Sequence, residues 1–475
     1  MITRVRDMVH KWIHLTSIEQ HIIDHILFER LRYISQNDVG QMVYPSLNTT
    51  RFEHCLGTCH VAGSMAEHIV QSKCWTEYAK ELKAKLAISK KEDFIQLCRF
   101  YALLHDVGHL PYSHLFENAL LSYAERTGNN SFVKDWFGTG DFEKPHEAYT
   151  AELVRRILND VRMNSSLRNA TITLLSQKGF EPGSVLFPIK QVVDSQIDAD
   201  RIDFVARDGM KAGGEYGNYD IERLCESVRL VSDDDGWFLS YADHAMSAME
   251  ALLFDRYRLY LWVHYHHRVI AIRALGQFLI ETLITDGVLT SKDFCPDSNT
   301  NEDLFGRTDA WLWNIILQMD CQGRREVEIA RKAFLWREKS GTLHLWKRRV
   351  DYQELLNQLE KQVGVRKRGQ DIFALGSPVQ YEDSLVAKIG PRPLVFRIKF
   401  APVKDYAIPI HYENKEGKKG FSLQEASPLV STLNALWDQE PDHQILFIGD
   451  DLVRSSIIRL WINKTTDWLI SAIST

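Results

Sequence analysis

Apolar residues recur along the first 285 positions at close to a 3.6-residue spacing, the period of a helix with one buried face. Between Ile18 and Ile34 they fall at Ile22, Ile23, Ile26, Leu27, Leu31 and Ile34. The pattern returns over 60–86, and again over 147–158 behind Pro145, a residue suited to a first helical turn. Residues 245–283 are mostly apolar with interspersed aromatics and predict one or two long core helices. Gly213-Gly214-Glu215-Tyr216-Gly217 interrupts the pattern as a loop. Residues 125–145, with Gly128, Asn129 and Asn130 before Gly138, Gly140 and Pro145, predict a second loop leading to His146. Residues 286–307 break the pattern and mark a boundary. Beyond it come helical stretches at 308–338 and 351–364, then strand-like runs at 394–400 and 444–448. The expectation is a mainly α fold. An all-α core occupies 1–290, and a smaller mixed α+β region with an oligomer or regulatory role occupies 291–475.

A chain of 475 residues exceeds one ordinary core, so more than one unit is expected. Apolar residues at 45% and charged residues at 25% are those of a globular protein. A formal charge of −6 offers nucleic acid no global attraction. Basic groups at Arg324-Arg325, Arg337, Lys347-Arg348-Arg349 and Arg366-Lys367-Arg368 read better as a solvated face or oligomer contact, which leaves nucleic acid open as a partner. Seven scattered cysteines contain no Cys-x-x-Cys pair and read as reduced thiols. The first residues lack a signal-peptide apolar core, and no apolar run approaches the ~20 residues of a membrane span. A cytoplasmic enzyme is expected.

Four short stretches carry the chemistry: Arg51-Phe-Glu-His54, His105-Asp106, His146-Glu147 and Asp198-Ala-Asp200-Arg201. The densest segment runs from His105-Asp106 through His109 and His114 to Glu117, directly after the apolar run 100–104. A lone histidine is more often a satisfied core residue. Here each stretch sets a histidine or aspartate beside a second charge within an apolar helix, and unpaired buried charge is too costly to be placed idly. Imidazole and carboxylate together suit Fe, Mn, Zn or Mg, and so hydrolysis by a metal-held water.

With 22–36, 51–57, 105–117, 146–147 and 197–208 in this order, the chain resembles the HD-domain deoxynucleoside triphosphate triphosphohydrolases, in the branch that holds the SAM-and-HD-domain proteins. The resemblance covers roughly residues 20–285. It implies a divalent transition metal (Fe, Mn or Zn, with Mg as a further ion) on His54, His105, Asp106 and Asp200. It puts catalytic roles on His109, His114, His146 and Glu117, with His114 as the acid that protonates the 5′-oxygen. It puts triphosphate contacts on Arg51 and Arg201, and sugar contacts on Gln36, Phe204 and Asp208. His266 is placed near substrate, with a packing and capping role equally weighted. Asp24 and Arg32, two turns apart on one helix face, would read an activating nucleotide at a subunit interface. The implied assembly is a homo-oligomer: a dimer, tetramer or hexamer. The implied reaction releases a deoxynucleoside and inorganic triphosphate. The rivals are another HD phosphohydrolase, acting on a monophosphate or signalling nucleotide, and a nucleotide sensor or nucleic-acid-binding protein. Three positions depart from the family pattern: Phe204 stands for a Tyr, His25-Ile26 for Thr-Pro, and Leu110 for a Gly.

Overall fold

The structure, a computed structural model, describes residues 3–129, 131–138, 144–177, 180–338, 343–347, 349–363, 378–389, 393–397, 409–414, 417–437, 443–447, 460 and 463–468. Arg348, the Arg366-Lys367-Arg368 group and the ends of the expected strands at 398–400 and 448 lie outside the described residues. The fold is mainly α, as the periodicity predicts.

An antiparallel hairpin of β1 (Thr3–Asp7) and β2 (Lys11–Leu15) opens the fold, with Ile13 and Leu15 turned into the core and Trp12 outward. No apolar period flags it, because alternation over five residues is a weak signal. The single helix expected over 18–34 is divided into α1 (Ser17–Ile23), α2 (Ile26–Glu29) and a 3-10 turn at Arg30–Tyr33. The break falls at His25, whose backbone is extended and whose Nδ1 accepts the Leu27 N–H at 3.2 Å. All three pieces bury the same side, with Ile22, Leu27 and Leu31 fully enclosed, so the periodicity survives the break.

Helix α3 (Arg51–Ile69) runs through the centre of the molecule. Thr50 and Glu53 close a capping box at its start, satisfying two of the orphan amides there. Packed against it are α5 (Lys91–Leu104), which follows α4 (Trp75–Leu86), and α11 (Ala199–Ala212). Between them come α6 (His114–Thr127), α7 (Phe132–Phe137), α8 (Pro145–Asp160), α9 (Ser165–Ser176) and α10 (Phe187–Gln191). Helix α7 lies within the expected loop 125–145. It forms because Trp136 buries against Phe294, Phe137 against Tyr149 and Phe132 against Trp136, each worth about 2–3 kcal/mol.

After α12 (Ile221–Ser227), a second hairpin pairs β3 (Val228–Asp233) with β4 (Gly236–Ala242). The core over 1–290 is therefore helical with two hairpins rather than wholly α. Helices α13 (Met246–Leu259) and α14 (His267–Thr285) follow, joined by a π-helical turn at Tyr260–His264.

Tertiary packing continues past residue 290. Helix α15 (Asn301–Phe305) packs on α2, and α17 (Arg325–Trp336), which follows α16 (Asp309–Gln318), packs on α14. The remaining elements are β5 (Leu343–His344), α18 (Arg349–Val363), α19 (Pro378–Ile389), β6 (Pro393–Arg397), β7 (Pro409–Asn414), β8 (Gly417–Ser422), α20 (Leu423–Ala426), α21 (Pro428–Trp437) and β9 (His443–Phe447). Strand β7 extends the β3–β4 hairpin by running parallel to β4, and β8 follows antiparallel. Strands β5, β9 and β6 form a separate antiparallel sheet.

Candidate metal centre and histidine cluster

Helix α5 stops at Leu104, so His105 is its C-cap and Asp106 to Gly108 form a turn. The sequence places His109 one helical turn beyond His105. The chain leaves the helix earlier, and the buried Arg30 guanidinium donates to the carbonyls of Val107 and His109, both at 2.8 Å. The turn also needs Gly108: a Cβ there would stand 2.2 Å from the Thr150 nitrogen of α8.

Four side chains from three elements converge. His54 on α3 faces Asp200 on α11, with Nε2 2.8 Å from Oδ1 and 3.8 Å from Oδ2 of Asp106. His105 Nδ1 bonds the Ala102 carbonyl at 2.6 Å, which leaves Nε2 buried without a hydrogen bond, 3.3 Å from Asp106 Oδ1 and 3.9 Å from Asp200 Oδ1. His54 Nδ1 is held at 2.9 Å by Asp203, a fully buried carboxylate that also binds Arg207 and, at 2.7 Å, His10 of the N-terminal hairpin. Both imidazoles are thus anchored through Nδ1 with Nε2 turned inward, the arrangement that orients a metal-binding histidine. Burial alone would lower the pKa of His54, but Asp200 and Asp203 push it up to about 10. The surroundings are built for positive charge at that nitrogen. Two carboxylates and two inward imidazoles therefore fit a divalent transition metal, and His54, His105 and Asp200 form one of two groups with ligand-compatible spacing among the described residues.

The second such group is His109, His114 and His146. His109 and His146 stack at 4.3 Å and 13°. Glu117 joins the other two, one oxygen 3.0 Å from His114 Nδ1 and the other 2.7 Å from His146 Nδ1. Burial would raise the Glu117 carboxyl, yet its two imidazoles hold it well below the usual range. Burial and the Arg51 charge push His109 well below its usual value, so it stands neutral. His114 begins α6 after Pro111 and is half exposed. It is preceded by Tyr112 and Ser113, both in left-handed backbone at φ 55° and 49°.

One cavity of about 870 Å³ joins both groups. Gln36, Arg51, Arg201, Phe204 and Asp208 line it, together with Tyr260, His264 and Tyr265 from the π-helical turn, a feature often found at functional sites. Arg51 is tied to Asp106 and, at 3.0 Å, to Ser113 Oγ, and Arg201 to Asp198. Asp208 is buried and accepts from Asn37 at 2.8 Å and Thr49 at 3.2 Å, and burial lifts it to about 6. Two expectations are corrected. His266 does not line the cavity: its Nδ1 accepts the Arg268 N–H and caps α14, and the neighbouring His264 and Tyr265 face the cavity instead. Asp24 and Arg32 do not share a helix face, because the chain breaks at His25. Asp24 binds Gln20, while Arg32 binds Glu29 and lies over Phe52.

Residues 51–174, which carry seven of the eight expected metal and catalytic residues (Asp200 on α11 is the exception), match the family model of the HD domain. The match to the HD domain thus covers about a quarter of the chain. The chain is 29% identical to an uncharacterized protein of Methanocaldococcus jannaschii, over 56% of this chain and 46% of that one. It is 28% identical to the uncharacterized YwfO of Bacillus subtilis, over 55% and 51%. It is 26% identical to the human deoxynucleoside triphosphate triphosphohydrolase SAMHD1, over 61% and 45%. The chain thus spans about half the length of these curated relatives. Among solved structures, a phosphohydrolase of Bacteroides thetaiotaomicron superposes with a TM-score of 0.62 at 20% identity, over 94% of this chain and all of that one. A hypothetical protein of Aquifex aeolicus gives 0.61 at 19%, over 98% and 100%. The shared fold therefore extends well beyond residue 290.

Sequence reasoning assigns no role to several supporting residues: Asp203, Arg207 and His10 behind His54, Arg30 behind the His105–His109 turn, and Asn37 and Thr49 behind Asp208. Asp203 alone was open to inference, lying three residues past Asp200 on an amphipathic helix. Among the described residues no helix is long and apolar enough to cross a membrane.

Proposed function

We propose that this protein is a metal-dependent phosphohydrolase that cleaves deoxynucleoside triphosphates at the α-phosphorus, giving a deoxynucleoside and inorganic triphosphate. The observation that carries the reading is one cavity that unites a metal-type cluster, a histidine–glutamate cluster and two arginines. The relatives named for that activity support it. His54, His105, Asp106 and Asp200 would hold the ion, which when bound supplies a Lewis acid for the phosphoryl oxygen and activates water.

The remaining work falls to side chains. Arg51 and Arg201 neutralise phosphate charge. Glu117 anchors His114 through Nδ1, so Nε2 is the atom that donates a proton to the departing 5′-oxygen. The same carboxylate orients His146 against neutral His109 on the side of the attacking water. Asp208 accepts from the sugar 3′-hydroxyl while the Phe204 ring packs on it. A homo-oligomer and an activating nucleotide remain readings from the resemblance.

The test is product analysis on metal-loaded protein with each deoxynucleoside triphosphate, alone and in mixtures. Inorganic triphosphate is the expected product. Orthophosphate or pyrophosphate would assign the site to a different phosphohydrolase.

A further inference from the structure

Asp309 belongs to none of the chemical motifs, and it lies beyond both the HD match and the pattern break at 286–307. It is the first residue of α16, and its carboxylate is turned into the molecule. One oxygen accepts the Tyr112 N–H at 2.6 Å and the other the Ser35 N–H at 2.9 Å. These amides belong to two separate walls of the cavity. Ser35 precedes Gln36. Tyr112 and Ser113 are the consecutive left-handed residues that turn the chain into His114.

Such a pair persists only where the surroundings over-determine it, since a side chain disfavours positive φ. The surroundings here are specific. Arg30 grips the preceding carbonyls of Val107 and His109. The Ser113 hydroxyl donates to the Ser35 carbonyl at 2.6 Å and accepts from Arg51 Nε at 3.0 Å. Asp309 closes the loop by holding both strands of this contact, Ser35 and Tyr112, from one carboxylate.

We propose that Asp309 is a positioning residue: by bridging the Tyr112 and Ser35 amides it sets the aim of His114. The inference rests on the role given to His114 above. The segment after residue 300 thereby completes the site instead of sitting beside it. Asp309→Asn keeps volume but retains only one acceptor oxygen, so one of the two amides loses its partner.

The asparagine variant should bind Zn²⁺ or Mn²⁺ like the parent, because no expected ligand is touched, while kcat falls about 100-fold with KM changed far less. A displacement of about an ångström is enough for such a loss. If Asp309 acts through His114, the double variant with His114→Ala should be no slower than His114→Ala alone. A crystal structure of Asp309→Asn should show Tyr112 or Ser113 released from left-handed backbone and His114 moved. Additive losses in the double variant would overturn the proposal, as would a crystal structure with 112–114 unchanged. The crystallographic result stands whether or not deoxynucleotides are the substrate. A slow Asp309→Asn beside a normal His114→Ala would instead remove His114 from the chemistry. If the asparagine variant does not fold, Asp309→Ser is judged by the same criteria, and failure of both to fold would make the residue purely structural.

Discussion

Asp203→Asn is the substitution that best separates holding the fold from holding the metal. The Asp203 carboxylate is fully buried and serves three groups: His54 Nδ1 at 2.9 Å, His10 Nε2 at 2.7 Å, and Arg207 through Nε at 2.9 Å and Nη2 at 2.7 Å. Asparagine removes the charge and one acceptor, and its amide can donate to His54 Nδ1. The proton then moves to Nε2, the nitrogen expected to bind the ion. Loss of such an outer partner costs about 10–100-fold in metal affinity, or about 1.4–2.7 kcal/mol. Removing one member of a buried ion pair costs about 3–5 kcal/mol, and the lower end applies here because Arg207 keeps Asp7 at 2.8 Å. Competition against a chromogenic chelator measures the first quantity, and urea denaturation of the metal-free protein the second. Asp7→Asn is the control: it also strips a partner from Arg207 but leaves His54 and Asp203 joined. If Asp203→Asn binds metal within twofold of the parent, or Asp7→Asn loses as much affinity, the anchoring argument is wrong.

Gly57→Ala should be disruptive for its size, since its Cβ would fall 1.8 Å from Asp203 Oδ1 and force α3 from α11. A loss of about 1–3 kcal/mol in urea melts, with weakened metal binding, is expected, and unchanged values would contradict the packing. Phe204→Ala should narrow the preference for deoxynucleotides over ribonucleotides, because the ring packs against Tyr260 and leaves a 2′-hydroxyl no partner. Equal kcat/KM ratios for dGTP over GTP in variant and parent would remove that role. Burial, with His10 and Arg99 nearby, lowers His60 to about 4, below its unfolded value of 6.5. The unfolded chain therefore takes up the proton first, and stability present above pH 6.5 is lost as the pH falls toward 4, by about 2 kcal/mol from this ring. The drop in urea midpoint between pH 7 and 4.5 should shrink in His60→Gln, and an equal drop in both would exclude this source of acid lability.

The helical class was legible from the chain alone, because it rests on a local rule, the 3.6-residue apolar period. That charged groups set inside it need partners marked the four stretches, but the set His54, His105, Asp106 and Asp200 came from the resemblance, and the structure brings those side chains together. The breaks within that period were not legible. His25 ends one helix by capping the next, and the His105 turn depends on Arg30 and on a glycine pressed against α8. For that reason Asp24 and Arg32 parted, and His266 became a cap while His264 and Tyr265 took the cavity. The partners Asp203, Asn37 and Asp309 lie up to 274 residues from the groups they hold. Sequence proposes which side chains can do chemistry, because chemistry is a property of residue types. Which nitrogen faces inward, and which charge stands behind it, is decided by contacts between distant segments that no local period encodes.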